Sequence, residues 1–395
     1  MPPIRKLLAA QFVSSLADNA LLIVAIALLN ARGLPPWWAP LLKLCFTIAY
    51  VLLAPCVGVW ADRVSKARLM GCMSVLKLVG ALALVAGVHP VAGYALVGLA
   101  SAAYAPAKYG LVTEIVSPCG LVAANGALEV SVVLAALIGT GLGGALVGPW
   151  LGLDAALWAM VALYLLSVAL NLLIPDSGVR HRVPVCGLGA LLREFACDNR
   201  RLWADPEGAL SLAVTTLFWG LAATLQFAVL RWSEDCLGLP LHEATGLQLA
   251  VALGVIAGAA LAGWLVPLSK ARRVLGFGLV FGLAMPLIAL LREPLPAALL
   301  LALAGMSAGL LVVPLNALLQ HRGALLLTAG RSVAVQGFNE NASMLAMLAG
   351  YALLIRQDVR VDALLCGLGL IVAAAMALLM LRGRPRAGRT GVRPS

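Results

Sequence analysis

The residues in this chain whose types and spacing could do chemistry are ionisable side chains that interrupt long apolar runs. Asp18 stands beside Asn19, with roughly ten mainly apolar residues on either side. A carboxylate buried in an apolar segment needs a cation, a proton or a cationic substrate group. The structural alternative is a hydrogen bond to a neighbouring helix. Lys108 follows Pro106, which frees backbone groups, and Glu114 lies six residues further on. Lys108 either snorkels to a surface or contacts an anionic group. Lys43 and Lys77 also fall inside apolar runs, and Lys77 is deep enough to require a partner. Glu129 and Glu340 occupy corresponding places in two runs, and that symmetry favours paired structural roles, such as closing loops, over chemistry. Bond-making catalysis is not indicated. His89, His181, His242 and His321 sit in loops or at run ends with no triad or metal-ligand spacing, and no phosphate-binding loop is present. The reading is therefore of a non-enzyme with no cofactor and no metal.

The elements that must position these groups are membrane helices. The chain is 62% apolar and 11% charged, with a mean hydropathy of +1.00, whereas a soluble domain carries about 25% charged residues. Crossing a bilayer takes about 20 apolar residues. Twelve runs satisfy that in the first half at Leu7–Leu29, Ala39–Trp60, Leu69–Val88, Val91–Val112, Leu121–Val147 and Leu151–Ile174, and in the second at Leu210–Leu230, Gly246–Val266, Val274–Leu291, Ala297–Leu319, Val333–Ile355 and Ala363–Leu381. They lack the alternation a barrel needs, so an all-α membrane protein is expected. The predicted organisation is a six-helix bundle over 1–174, a cytoplasmic linker over 175–208, a second bundle over 209–382 and a basic tail over 383–395, which reads as disordered. Within the linker, Leu188–Phe195 could form an amphipathic interfacial helix, although plain linker is the simpler expectation. The N-terminal run is too long for a signal peptide and is read as retained. Cys45, Cys56, Cys72 and Cys366 lie in apolar runs and read as small buried hydrophobes, not disulfides.

Lys and Arg sort 20 to 5 between alternate loops, which places both termini in the cytoplasm. The net charge of +11 thus marks topology and not a nucleic-acid stripe. Trp37, Trp38, Trp150 and Trp232 are expected to form an outer aromatic belt. The halves repeat: Ser14-Ser15-Leu16 matches Thr215-Thr216-Leu217, Trp60 matches Trp264, Ser65–Arg68 matches Ser269–Arg272, Pro106 matches Pro314, and Asn125-Gly126 with Glu129 matches Gln336-Gly337 with Glu340. Ordered matches at nearly constant offset imply two parallel six-helix repeats with a site between them. The run Gly139–Gly148 contains GxxxG spacing, which permits close helix contact.

Between the second and third runs lies GVWADRVSKAR, Gly58–Arg68. It has the form G-x-x-x-D-R-x-x-(K/R)-x-(K/R) and resembles the signature of the major facilitator superfamily. Gly58 permits close helix approach, Asp62 can accept hydrogen bonds or sit at a helix N-terminus, and Arg63, Lys66 and Arg68 hold the loop inside. The segments LADNALL (Leu16–Leu22), AYAPAKYG (Ala103–Gly110), LVAANGALE (Leu121–Glu129), LFWG (Leu217–Gly220), VVPLNALLQHRG (Val312–Gly323) and VAVQGFNENASML (Val333–Leu345) resemble the bacterial lysophospholipid transporters of that superfamily.

The resemblance implies an inner-membrane carrier that moves lyso-phosphatidylethanolamine and lyso-phosphatidylglycerol from the outer to the inner leaflet. A cytoplasmic acyltransferase–acyl carrier protein synthetase would then be a functional partner. It also implies substrate-binding roles for Asp18, Asn19 and Lys108. The family places a basic residue after Thr-Leu in the seventh span, but here Thr224-Leu225 is followed by Gln226. Arg231 is five residues on, about 140° around the helix, and cannot simply replace it. Either head-group recognition differs at Gln226, or Lys43 or Arg231 supplies the charge. A lysolipid needs a cation for its phosphate, an acceptor such as Asp18 for an ammonium, and an apolar path for its chain. Two other classes fit the same sequence: a proton-coupled antiporter of drugs or other small amphiphiles, with Asp18 as the proton site, and a non-transporting scaffold for the acyltransferase.

Overall fold

The computed structural model describes residues 3–35, 37–148, 151–180 and 187–382. Pro149, Trp150, His181, Arg182 and the tail over 383–395 lie outside the described residues, as do the expectations made for them. The first half contains α1 (Pro3–Ala31), α2 (Trp38–Arg63), α3 (Lys66–Val85), α4 (Pro90–Ile115), α5 (Leu121–Leu146) and α6 (Gly152–Leu172). Next comes α7 (Leu188–Ala204). The second half contains α8 (Pro206–Leu237), α9 (Leu241–Leu265), α10 (Leu275–Leu290), α11 (Pro294–Leu326), α12 (Ala329–Arg356) and α13 (Val361–Arg382).

Local chemistry sets the boundaries. Ser65 accepts a hydrogen bond from the Arg68 N–H at the start of α3. Asp205 accepts from the Gly208 N–H and Pro206 opens α8, where its missing N–H costs nothing. Gly238, in the left-handed conformation, ends α8. Among the described residues, ten helices are long and apolar enough to cross a membrane. Of the twelve expected spans, α4 and α12 fall outside that group. These two carry Lys108 and the Gln336–Asn341 stretch, and both line the cavity described below.

The repeat seen in the sequence is a repeat of packing. Helix α1 packs on α5, α2 on α4 and α3 on α6; correspondingly, α8 packs on α12, α9 on α11 and α10 on α13. The halves meet through α2 with α12 and through α5 with α9, which exchange under the same two-fold relation. The GxxxG spacing performs as expected: a Cβ at Gly139 or Gly143 would lie 2.5 or 2.7 Å from the carbonyl oxygens of Leu16 or Ala20 on α1. Large apolar side chains such as Leu52, Leu172 and Leu290 stay on the outside, where lipid is the solvent.

Two expectations are corrected, and the helix allowed within the linker is extended. Trp232 is fully buried in the core and belongs to no aromatic belt, whereas Trp37 is exposed and stacks on Trp38. Cys45, Cys56 and Cys366 are only partly covered and Cys72 is exposed, so these small side chains lie on outer helix faces. The segment expected as linker contains the 17-residue helix α7, because its apolar residues recur at helical spacing.

Candidate functional site

A cavity of about 430 Å³ lies between the halves. The first half contributes Asp18, Asn19, Lys43, Tyr50 and Lys108, and the second contributes Trp219, Asn316, Gln336, Glu340 and Asn341. Phe46, Tyr94, Val132, Val333 and Met344 give the wall an apolar and aromatic character. The helices that bring these groups together are the internally repeated ones, so the cavity follows from the two-fold packing.

Asp18 is already partnered. Its Oδ2 accepts from Lys77 Nζ at 2.6 Å and from Ser101 Oγ at 3.3 Å, and its Oδ1 accepts from the Tyr164 hydroxyl at 2.9 Å. Lys77, 1% exposed, also donates to Ser14 Oγ at 2.9 Å and stands over the Tyr104 ring. This cluster lies entirely within the first half and neutralises itself. The partner that the sequence could not name for Lys77 is therefore Asp18. The signal was present as two unpaired charges at mid-run, but no spacing links residues 59 apart.

Lys108 is different. It is buried, lines the cavity and stands 4.3 Å from the centre of the Tyr109 ring. Among the described residues no carboxylate lies within ion-pair distance of it; Glu114 pairs instead with Lys66, at 2.5 Å. Glu340 also faces the cavity, accepting from Gln336 Nε2 at 2.8 Å, and Gln336 donates to Asn316 Oδ1 at 2.9 Å. Asn19 donates to the Ser15 carbonyl. Glu129 is buried on α5 and is not among the lining residues, so the symmetric carboxylates have different surroundings. Both lie well inside their helices, away from the loops they were expected to close. Gln226 and Arg231 do not join the site: Gln226 is exposed, its carbonyl accepts from Gln248, and Arg231 pairs with Asp235 on the outer turn of α8. Lys43 does line the cavity.

One end of the cavity is shut by contacts between the halves. Gly58 meets α12 so closely that a Cβ would lie 3.0 Å from both Ala334 Cβ and Arg331 Cα. Asp62 accepts from the N–H groups of Gly330 and Arg331 at 3.0 and 3.2 Å and from the Thr328 hydroxyl. It thereby caps α12, whose N-terminal dipole favours an anion. Lys66 is completely buried between Asp62 and Glu114, so it ties helices together and is not an exposed topology marker. Arg68 is exposed. Asn125 and Gln320 exchange two amide hydrogen bonds, at 2.9 and 2.8 Å. Beside this seal Arg331 reaches Asp198 and Glu194 of α7. Burial pushes the Asp198 carboxyl up, with Arg331 pulling against it. Arg322 grips Asp205 through two nitrogens and holds that carboxyl below the usual carboxylate range.

Two six-helix halves around a mainly apolar cavity that holds a few charged side chains, closed at one end by capping and amide contacts, define a membrane carrier that works by alternating access. The sequence profile of the Major Facilitator Superfamily matches residues 7–351. The lysophospholipid transporter of Cronobacter sakazakii is 42% identical over 373 residues, 94% of each chain. That of Salmonella arizonae is 41% identical over 379 residues, covering 96% of this chain and 95% of the relative. The chain belongs to the Major Facilitator Superfamily and, within it, to the bacterial lysophospholipid transporter family. Among solved structures, the Escherichia coli fucose:proton symporter superposes with a TM-score of 0.76 at 13% identity, over 97% of this chain and 99% of that one. A bacterial homologue of the iron transporter ferroportin in an outward-facing state gives 0.72 at 19%, again over 97% and 99%. Both likenesses concern the fold.

Proposed function

We propose that the protein moves lysophospholipids, lyso-phosphatidylethanolamine and lyso-phosphatidylglycerol, from the outer to the inner leaflet of the bacterial inner membrane, where the cytoplasmic acyltransferase–acyl carrier protein synthetase reacylates them. One observation carries the reading: Lys108, a cation without a carboxylate within ion-pair distance among the described residues, shares its cavity with an aromatic and apolar wall. A lipid phosphate supplies the missing anion, and a single acyl chain fits the wall. The volume is within the usual range for small-molecule sites, about 300–1,000 Å³. The acceptor role passes from Asp18, which Lys77 neutralises, to Glu340 with Asn341. That carboxylate can accept from an ethanolammonium and also from glycerol hydroxyls, so both head groups are served. Asp18, Asn19 and Lys43 shape the first-half wall, and Gln226 and Arg231 take no direct part in this state.

With the Gly58–Arg68 end in the cytoplasm, the state described is open to the outside. Transport then requires the Asp62 cap and the Asn125–Gln320 pair to part while the opposite ends of the halves close. The test is uptake of labelled lyso-phosphatidylethanolamine by purified protein in liposomes. Another lysophospholipid should compete well; the deacylated head group, a diacyl lipid and a neutral monoacylglycerol should each compete poorly. Equal competition by the deacylated head group would remove the lysolipid assignment.

A further inference from the structure

We propose that α7 lies in the membrane–water interface beside the α2–α12 seam, with an apolar sector in the acyl chains and an arginine sector on anionic phospholipid head groups. At about 100° per residue, Leu188, Leu192, Ala196 and Trp203 share one sector, interrupted by Asn199, which accepts from Asn339 of α12, and Leu188, Leu192 and Trp203 are 64%, 51% and 41% exposed. The next sector holds Arg193, Arg200 and Arg201, all exposed. The remaining sector faces the bundle: Phe195 packs edge-on against Phe338 at 5.2 Å, Asp198 and Glu194 bind Arg331, and Leu202 is fully buried. A helix in water needs two kinds of surface, one for the protein and one for solvent. This helix has three, and an exposed apolar sector beside a basic one suits an anionic interface.

Depth supports the same placement. Phe338 is nine residues into α12, about 13 Å from its N-terminus at 1.5 Å per residue. The 28 residues of α12 span about 42 Å, against a hydrocarbon core of about 30 Å. With α12 centred on that core, Phe195 reaches below head-group level. The crevice beneath α7 is lined by Ala54, Pro55 and Gly58 of α2, Ala334 of α12, and Leu191 and Phe195, so α7 flanks the bundle and does not hang below it. Because the same helix holds Arg331, next to the α12 cap, lipid charge acts at the seal between the halves.

The test is spin-label accessibility in vesicles with full-length protein, natural cysteines replaced, and one label at either Leu192→Cys or residue 197. The label at 192 should collide with lipid-dissolved oxygen and the label at 197 with a water-soluble nickel chelate. Replacing part of a phosphatidylcholine bilayer with phosphatidylglycerol should deepen the label at 192. The added substitutions Arg193→Gln, Arg200→Gln and Arg201→Gln should abolish that change. A photo-crosslinker at 192 in the natural, cysteine-containing chain should label phospholipid. Equal water exposure at both positions, or no crosslink to lipid, would overturn the placement and leave this face to a soluble protein. Immersion that ignores phosphatidylglycerol would overturn the anionic-lipid part.

Discussion

Asp62 of α2 accepts the backbone N–H groups of Gly330 and Arg331 at the start of α12, at 3.0 and 3.2 Å, and so joins the two halves by capping a helix across their boundary. A charged acceptor at a helix N-terminus contributes about 0.3–2 kcal/mol, and losing one cap costs about 1 kcal/mol. Asp62→Ala should therefore raise the population open at this end several-fold. Spin labels at the exposed positions Arg68 and Leu326 should show a longer distance gaining weight. An unchanged distribution would remove Asp62 from the seal.

Asp18 and Lys77 should behave as a unit. Removing one partner of a buried pair leaves an uncompensated charge and costs about 3–5 kcal/mol. Asp18→Asn and Lys77→Met should each lower thermal stability in detergent, and the double variant should recover most of the loss. Additive losses would show that the 2.6 Å pair contributes no coupling.

Lys108→Gln should lower stability only modestly, since no ion pair among the described residues is broken and only a longer-range attraction to the buried Glu129 is lost. A hydrogen bond to a charged group is worth about 1.5–3 kcal/mol, so the Kd for lysophospholipid should rise about 10- to 100-fold. Binding at wild-type strength would dismiss Lys108 as the phosphate contact.

Glu340→Gln tests the head-group acceptor. An ethanolammonium loses a charge partner, whereas glycerol hydroxyls lose only a stronger acceptor. The ratio of lyso-phosphatidylethanolamine to lyso-phosphatidylglycerol transport should fall. A fall of both by the same factor would assign Glu340 to the transport cycle and not to recognition.

Acid should weaken the Asp205–Arg322 clamp. Its folded-state carboxyl is lowered, first by the Arg322 hydrogen bond, so its stabilisation is complete above the unfolded value of about 3.9 and is lost as pH falls toward the folded value. Asp205→Asn should be less stable than wild type at pH 6, and the gap should narrow as the pH falls below about 3.9. A constant gap would place the effect elsewhere.

The sequence by itself determined the helices, their repeat and the superfamily loop. Bilayer crossing demands long apolar runs, and Gly58, Asp62 and Lys66 are spaced along one continuous stretch. It also nominated Asp18, Asn19 and Lys108, because an ionisable group in an apolar run is conspicuous. Only the tertiary structure decided which charges cancel. Asp18 meets Lys77 from α3 and Glu114 meets Lys66, leaving Lys43, Lys108 and Glu340 to face the cavity. It also turned Trp232 inward and folded the expected linker into α7. These outcomes depend on the rotation of each helix about its axis. A helix that is apolar on every side carries no stripe that marks one face as inward, so its rotation stays unspecified until neighbouring helices fix it by packing.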